Sequence, residues 1–257
     1  MHYSSVVSGI FLRRPNRFIA HVLINGQETV CHVKNTGRCR ELLLPGVTVI
    51  LSFCPEAAAK GRKTAYDLIA VYKETGGQKG RRLLINLDSQ APNEAAFEWA
   101  AKGGLSSVLP QGSRLSNLRR EVVFEHSRFD LSFLLDGVQS FMEVKGVTLE
   151  NGGVAAFPDA PTQRGVKHLE ELADAARRGF PAFLLLVIQM TDIVTFQPNM
   201  ETHPDFGRAM VKARQAGVQI LARDCQVTED SMTIQNPVAV DLSPAENFLP
   251  SQLSRLT

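Results

Sequence analysis

Apolar and polar residues alternate in short runs through most of the first 85 residues, and such runs predict β-strands. Segments 18–24 and 27–33 flank Asn25-Gly26, a dipeptide typical of the two-residue turn of a β-hairpin. Further runs of this kind occupy 47–53, 66–72 and 82–87. Strands at this spacing predict a small barrel, either one that binds oligonucleotides or a purely structural one.

The second half of the chain changes to a pattern in which strands and helices alternate. Apolar residues recur at helical spacing over 162–178 and 204–215, and a glycine follows each segment. The continuous apolar run at 183–189 is typical of a strand that is covered on both faces, and 218–222 predicts another strand. This succession predicts an α/β domain with a mixed sheet.

The predicted organisation has four parts, and its fold class is all-β followed by α/β. In the second part, helix-forming residues at 92–102 end at Gly103-Gly104. The last part is punctuated by Pro and Ser. The parts are a barrel over 1–87, a helical connection over 88–120, the α/β domain over 121–234 and an irregular tail over 235–257.

A second hairpin signal lies at the start of the α/β domain. Asp136-Gly137 separates two runs of alternating residues, and a two-residue turn there pairs position 135 with 138. Counting outward from the turn places Asp130 opposite Glu143, on the face that also carries Arg128 and Lys145. We expect the opposite, core-facing side to carry Phe129, Leu131, Phe133, Met142 and Val144.

Opposed carboxylates destabilise a strand pair, and a divalent cation between them would compensate. Asp130 and Glu143 offer the hard oxygen ligands that Mg²⁺ or Mn²⁺ prefers, and the main-chain carbonyl of Val144 could reach the same ion. Lys145 would orient or deprotonate an attacking water, or stabilise developing charge. Glu121, predicted at the end of the helical connection, is a candidate additional ligand. The competing interpretation is an exposed face of ion pairs.

The predicted helix 162–178 carries cations in its first turns. Arg164 and His168 are four residues apart and therefore share a face, and Lys167 lies beside them. Cations near a helix N-terminus favour phosphate binding. We expect Arg164 and His168 to contact the scissile region and Lys167 to contact nucleic acid. A purely structural His168 is the alternative.

Charge is distributed unevenly, although the formal net charge is only +2. Residues 1–85 carry 13 Lys and Arg against 5 acids, which is +8, and residues 86–257 carry 15 against 21, which is −6. This asymmetry indicates a basic module that meets a polyanion, and a solvated basic face is the alternative. No helix-turn-helix pattern indicates sequence-specific reading of DNA. The candidate nucleic-acid contacts are Arg13, Arg14, Arg17, Lys34, Asn35, Arg38 and Arg40.

Composition places the chain among ordinary globular proteins, with 44% hydrophobic and 21% charged residues. No apolar stretch reaches membrane-spanning length, and the first residues lack the apolar core of a signal peptide. The four scattered cysteines contain no C-x-x-C pair, which favours a reduced, cytoplasmic protein. The irregular spacing of Cys31, His32, Cys39 and Cys54 argues against a zinc site. The sequence leaves the oligomeric state, including a homo-oligomer, open.

Five segments taken together closely resemble the sugar fermentation stimulation protein family, SfsA. They agree in both sequence and spacing, and the similarity runs from about position 11 to 234. The segments are His-Val-Lys-Asn-Thr-Gly-Arg at 32–38, Arg-Phe-Asp at 128–130, Glu-Val-Lys-Gly-Val-Thr-Leu at 143–149, Phe-Pro-Asp-Ala at 157–160 and Thr-Gln-Arg-Gly-Val-Lys-His-Leu at 162–169.

The resemblance implies an N-terminal OB-like barrel and a C-terminal domain of the PD-(D/E)XK nuclease type. It places the metal-binding Asp at Asp130 and the Glu-x-Lys at Glu143 and Lys145. The usual Pro before the Asp is replaced by Phe129, which leaves the metal ligands intact. The function expected is a Mg²⁺- or Mn²⁺-dependent nuclease that acts on DNA or RNA. The alternative is a non-catalytic, non-specific DNA-binding protein that regulates sugar, notably maltose, metabolism; no residue above predicts that regulatory role.

Overall fold

The computed structural model describes residues 1–35, 37–57, 59, 61–75, 82–125 and 127–248. The N-terminal part is built only from strands. Its core contains Phe11, Val22, Leu51 and Leu68, all at most 2% exposed. The strands are β1 (Val6–Asn16), β2 (Ile19–Ile24), β3 (Gln27–Val33), β4 (Thr48–Phe53), β5 (Tyr66–Glu74) and β6 (Arg82–Asn86).

A closed five-stranded barrel forms from β1 to β5. The strand order is β3-β2-β1-β4-β5, and the parallel pairing of His32 with Asp67 and of Val33 with Leu68 joins the first strand to the last. The other end of β5 pairs with β6. This arrangement confirms the predicted N-terminal OB-like barrel. Strand β1 was not predicted from the sequence. Its alternation of apolar and polar residues is interrupted by the basic pair Arg13-Arg14 and by the polar residues at 16–17.

Both predicted two-residue turns have the backbone that their sequences favour. Asn25 and Gly26 have φ angles of 51° and 80°, and Asp136 and Gly137 have φ angles of 51° and 83°. Two successive positive φ values match the twist of an antiparallel strand pair, and Asn, Asp and Gly adopt them at low cost. The turns therefore fix the register of the strands that they join.

The C-terminal part is built around one nine-stranded mixed sheet. Its strand order is β10-β11-β13-β15-β14-β12-β9-β8-β7. Strands β9, β12 and β14 run parallel, whereas β7, β8 and β9 form an antiparallel meander. The strands are β7 (Leu115–Phe124), β8 (Ser127–Leu135), β9 (Val138–Val147), β10 (Leu149–Asn151), β11 (Val154–Phe157), β12 (Ala182–Ile188), β13 (Thr195–Pro198), β14 (Gln219–Val227) and β15 (Met232–Val240).

Helices cover both faces of this sheet, as the continuous burial of β12 requires. One face packs against α1 (Ala91–Ala101), and the other packs against α2 (Gln163–Arg177), which contacts α3 (Pro204–Gln215). A short α4 (Ser243–Glu246) contacts α3. The Thr162 hydroxyl accepts a bond from the Gly165 N–H at 3.0 Å and caps α2. The predicted C-terminal mixed-sheet α/β domain is confirmed.

Two predicted segment boundaries are wrong. The connection 88–120 contains α1 but continues as β7, whose exposed, charged residues lack the alternation of a half-buried strand. The tail predicted to be irregular from 235 begins inside β15, which extends to Val240, and α4 follows. Strand β7 lies at the edge of the sheet and has no buried residue, so packing imposes little pattern on it. Strand β15 lies between β13 and β14, but three successive exposed residues at 235–237 interrupt its alternation. Residues 249–257 of the predicted tail lie outside the described residues.

The barrel and the α/β domain meet through buried polar contacts. Gln189 at the end of β12 donates its side-chain amide to the main-chain oxygens of Asn86 and Asp88 at 3.0 and 3.2 Å. The Asn86 N–H returns a bond to the Gln189 carbonyl at 2.9 Å. Lys73 on β5 pairs with Glu150 on β10 at 2.5 Å. In the described ranges, no helix is both long and apolar enough to span a membrane.

Candidate functional site

The β8–β9 hairpin has the predicted register. Leu135 pairs with Val138, and the ladder continues in step to Leu131 and Met142. The next position in this count sets Asp130 against Glu143. Regular pairing ends there, and Phe129 packs on Phe141 with 4.8 Å between ring centroids, in the core on the α2 side.

Phe129 therefore does not share a face with Leu131, Phe133, Met142 and Val144, which lie on the α1 side. The prediction of one continuous apolar face was wrong at this residue. The physical reason lies at Asp130, where a side chain takes the place of a backbone partner. Its Oδ2 accepts the Val144 N–H at 2.8 Å, and its Oδ1 accepts the Asn93 side-chain amide at 2.8 Å.

Glu143 is the most deeply buried charged group at this site, with 2% of its side chain exposed. Lys145 Nζ donates to Glu143 Oε1 at 2.6 Å, and His168 Nδ1 contacts the same oxygen. Within the described structure, Glu143 Oε2 is buried and has no hydrogen-bond partner. Because an unsatisfied buried carboxylate oxygen costs free energy, this atom marks a place where a further cation or donor would be stabilising.

Helix α2 brings two more predicted residues to the site. Arg164 Nε donates to His168 Nε2 at 3.2 Å, which assigns the proton of a neutral ring to Nδ1, beside Glu143. His168 thereby orients Glu143, and the exposed Arg164 orients His168. We call the group formed by Asp130, Glu143, Lys145, His168 and the Val144 carbonyl the carboxylate site.

The two opposed carboxyl groups have shifted pKa values of opposite sign. Burial, together with the charge of Glu143, raises the pKa of Asp130 above its ordinary value. Burial alone would also raise the pKa of Glu143, but the bonds from His168 and Lys145 outweigh it and lower that pKa. Glu143 is therefore ionised at neutral pH.

The donor set fits a hard divalent cation. It comprises Asp130, the free oxygen of Glu143 and the Val144 carbonyl; the N–H and C=O of a strand residue point to the same side, here toward Asp130. In the described residues, no cluster of three or more His, Cys, Asp or Glu side chains could hold a metal. Two carboxylates and one main-chain oxygen are hard donors of the kind that Mg²⁺ or Mn²⁺ accepts, and these ions complete their coordination with several waters.

Three predicted neighbours lie away from the carboxylate site. Glu121 is on strand β7 rather than on a helix, and its exposed carboxylate pairs with Arg128 at 2.5 Å. Strand β7 pairs outside β8, so both side chains reach solvent. Lys167 is exposed on α2 and lies 3.6 Å from Glu171. The assignment of Glu121 as a ligand from a preceding helix was therefore wrong.

A cleft of about 670 Å³ opens on the barrel, and five of the predicted basic residues line it. We call it the arginine cleft, after Arg13, Arg14, Arg17, Arg38 and Arg40. Arg17, Arg38 and Arg40 are exposed, and their guanidinium groups make no ion pair in the part of the chain that the structure describes. Phe18, 49% exposed, lies under Arg17, with 5.6 Å between the guanidinium carbon and the ring centroid.

The other predicted contacts in this region are engaged within the protein. Arg14 donates to the main-chain oxygens of Arg17, Asn35 and Arg38 at 2.6, 2.8 and 2.8 Å, so it supports the cleft wall. Arg13 pairs with Glu28 at 2.6 Å.

Lys34 and Asn35 are likewise turned toward the domain boundary. Lys34 pairs with the buried Asp88 at 2.7 Å, and the Asn35 amide donates to the Leu87 carbonyl at 2.8 Å. Asp88 and Leu87 follow β6, so both contacts tie the 34–40 loop to the start of the α/β domain. Of the predicted nucleic-acid contacts in the barrel, Arg17, Arg38 and Arg40 are the ones that are exposed without an ion pair to a described residue.

The loop of the arginine cleft touches the segment that leads into α2. The Arg38 N–H donates to Asp159 Oδ2 at 3.2 Å. A Cβ atom on Gly37 would lie 2.4 Å from the same oxygen, so this approach requires glycine. Three residues after Asp159, Thr162 caps the helix that carries Arg164 and His168. The cleft and the carboxylate site are thus joined by one short segment.

One residue at the carboxylate site has no signal in the sequence. Asn93 on α1 was not predicted, because an Asn in a predicted helix gives no signal of a partner 37 positions away.

All four cysteines are free, and burial raises the pKa values of Cys31 and Cys39 to about 12. These two thiols stay protonated at neutral pH.

Comparisons with known proteins agree with this architecture. Residues 12–80 match the family model described as the SfsA N-terminal OB domain, and residues 90–231 match the sugar fermentation stimulation protein RE domain. A sugar fermentation stimulation protein homolog of Desulfitobacterium hafniense is 52% identical over 94% of this chain and 99% of its own length. A homolog of Clostridium beijerinckii is 47% identical over 94% and 100% of the two chains.

A solved structure is similar over almost the whole length. It is described as Pyrococcus furiosus SfsA in complex with Ca²⁺. It superposes with a TM-score of 0.78 at 27% sequence identity and covers 94% of this chain and 98% of that one. The second family model begins at residue 90, so it includes α1 with the α/β domain.

Proposed function

We propose that this chain, which belongs to the sugar fermentation stimulation protein family, binds nucleic acid and hydrolyses its phosphodiester bonds with a divalent cation, Mg²⁺ or Mn²⁺. The observation that carries the proposal is Glu143 Oε2, a buried carboxylate oxygen without a partner, in a site shared with Asp130 and Lys145. A resident cation would satisfy that oxygen.

The residues that would hold the cation are Asp130, Glu143 and the Val144 carbonyl. When bound, the ion would polarise a phosphate oxygen and make a coordinated water more acidic. The solved Pyrococcus furiosus relative is described as a complex with Ca²⁺, which supports a divalent-cation site in this family. Ca²⁺ and Mg²⁺ both favour oxygen ligands.

The chain's own residues would position and stabilise the reacting groups. Lys145 Nζ lies 2.6 Å from Glu143 Oε1, where its charge can orient a water or stabilise negative charge on the phosphate. His168 holds Glu143, and Arg164 on the exposed side of His168 can contact a phosphate oxygen. The N-terminal turn of α2 adds a favourable dipole for the anion.

The arginine cleft would bind the nucleic acid outside the reacting phosphate. Exposed guanidinium groups bind the backbone by charge, and Phe18 offers a face for base stacking. The contact of Arg38 with Asp159 joins this cleft to the segment before α2. Binding by charge and stacking predicts little sequence preference, for single-stranded or flexible substrates above all.

A cleavage assay tests the proposal. Labelled single- and double-stranded DNA and RNA should be cut in Mg²⁺ or Mn²⁺ and left intact in EDTA. Lys145→Ala should lower the rate about 100-fold or more, in the range of a lost proton-transfer group. Lys212→Ala, an exposed lysine on α3, is the matched control and should cut normally. Equal cutting by Lys145→Ala would reject the catalytic assignment.

Binding without turnover is a second candidate function, and the arginine cleft is the observation that favours it. In that case the protein would bind nucleic acid in a salt-dependent way and would cut none of the substrates in any divalent cation. The cytoplasmic location and the link to sugar metabolism remain predictions from the cysteines and from the family resemblance.

A further inference from the structure

Helix α1 approaches the carboxylate site from the side that the hairpin and α2 leave open. Its Asn93 donates Nδ2–H to Asp130 Oδ1 at 2.8 Å, while the Val144 N–H donates to Oδ2 at 2.8 Å. Each oxygen of Asp130 therefore has one fixed donor. The two bonds together leave the carboxylate a single orientation about its Cβ–Cγ bond.

We propose that Asn93 is a positioning residue, which fixes Asp130 in the orientation needed to share a divalent cation with Glu143. The inference rests on the proposed function, because the role given to Asn93 requires that Asp130 binds a cation. Donors to metal-binding carboxylates typically contribute a 10- to 100-fold factor in metal affinity.

The backbone alone does not provide this orientation. The β8–β9 ladder ends at Leu131 and Met142, one position before Asp130. Phe129, on the other side of Asp130 in the sequence, packs into the core on the α2 side, whereas Leu131 packs into the core on the α1 side. Asp130 thus lies where the strand leaves regular pairing, and its side chain needs a donor from outside the hairpin.

Helix α1 can reach Asp130 because β9 carries a glycine directly after Lys145. A Cβ atom on Gly146 would lie 2.6 Å from Pro92 Cγ and 2.4 Å from Gln189 Oε1. Any side chain at this position would push Pro92, and with it Asn93, away from the sheet. Small residues on the buried face of α1, which are Ala91, Ala95, Ala96 and Ala100, extend the same close contact.

The N-terminal end of α1 is held by Asp88. The Gln90 N–H donates to Asp88 Oδ1 at 2.9 Å, and the buried Asp88 also pairs with Lys34 at 2.7 Å and accepts the Tyr3 hydroxyl at 3.1 Å. Asn93 lies within the first turn and a half after this anchor. A rigid helix end carries the donor, as a positioning role requires.

The test measures binding of Ca²⁺ alone by calorimetry, without substrate. Asn93→Leu keeps the branched shape of the side chain and removes the donor, and Asn93→Ala removes both. Each should weaken Ca²⁺ binding about 10-fold or more. The thermal midpoint in EDTA should move only by the roughly 2–4 °C of one lost hydrogen bond. Glu94→Gln is the control on the same helix, because Glu94 pairs with Arg120 instead.

The outcomes separate this inference from the function on which it rests. Loss of Ca²⁺ affinity in both Asn93 variants, with wild-type affinity in Glu94→Gln, supports the positioning role. Wild-type affinity in the Asn93 variants would overturn the positioning role and leave the cation site standing. Failure of the unmodified protein to bind Ca²⁺ or Mn²⁺ would overturn both.

Discussion

The arginine cleft of the barrel and the carboxylate site of the α/β domain hold their charges in opposite ways. In the cleft, Arg17, Arg38 and Arg40 are exposed and unpaired within the described residues. In the carboxylate site, Glu143 and Lys145 are 2% and 15% exposed and bonded to each other. Exposed arginine side chains can adjust to phosphates in many positions, whereas buried, hydrogen-bonded side chains are held in one arrangement.

Under the proposed function, this difference assigns nucleic-acid affinity to the arginine cleft and the chemical step to the carboxylate site. A polyanion that binds to exposed guanidinium groups releases counterions, and the free energy depends on salt rather than on atomic fit. Catalysis needs groups whose positions are fixed before the substrate arrives. The contact of Arg38 with Asp159 connects the cleft to the segment that precedes α2.

The largest expected effect separates chemistry from binding at Glu143. Glu143→Gln keeps the shape of the side chain and removes the charge that a cation would need. We expect cleavage to fall about 1000-fold, while nucleic-acid affinity in EDTA stays within about 3-fold. Rate and binding assays on one preparation measure both, and Glu170→Gln on the exposed face of α2 is the matched control. A parallel loss of binding and cleavage would contradict the division of roles.

The second effect concerns the cleft. Replacing Arg17, Arg38 and Arg40 by Ala should weaken nucleic-acid binding by roughly 5-fold per residue at 0.1 M salt, through counterion release. The slope of log affinity against log salt should fall by about 0.7–0.9 for each phosphate contact removed. Ca²⁺ affinity should not change. An unaltered salt slope in the triple variant would place the nucleic acid elsewhere.

A cation should stabilise the folded protein through the carboxylate site alone. At a Ca²⁺ concentration of 100 times its Kd, the stabilisation is about 2.7 kcal/mol, which corresponds to roughly 5–10 °C in thermal midpoint. The triple arginine variant should show the same shift, and Glu143→Gln should show none. Scanning fluorimetry in EDTA and in Ca²⁺ measures it. A shift that survives Glu143→Gln would point to a different cation site.

The smallest effect is a pH dependence in the barrel. Burial would raise the pKa of Asp67, but the bonds from Arg62 and Cys54 outweigh it and lower that pKa. A lowered folded-state pKa stabilises the protein above the unfolded value of about 4, and this stabilisation disappears as the pH falls through the folded value. Asp67→Asn should remove about 1 kcal/mol at pH 7 and flatten this acid limb. An unchanged acid limb in urea titrations would show that other groups dominate.

The sequence predicted the hairpin register because the turn is a local event. Asp136-Gly137 favours two positive φ values, and those angles alone determine that Leu135 pairs with Val138. The apolar face of α2 was predicted on the same kind of local ground. Leu169, Leu172 and Ala173 on that face are buried, and Val166 and Ala176 are partly buried. Strand β7 was missed because neither of its faces is fully buried.

The sequence by itself determined the turns, the amphipathic helices and the order of Asp130, Glu143 and Lys145 along the hairpin, because each depends on neighbours within a few residues. Tertiary structure alone decided that Asn93 reaches Asp130, that His168 holds Glu143 and that Lys34 turns to Asp88. Those partners are 25 to 54 positions apart, and their contacts arise from how helices pack on the sheet. No pattern of neighbouring residues predicts these contacts, since many different side chains would be compatible with the same local helix or strand.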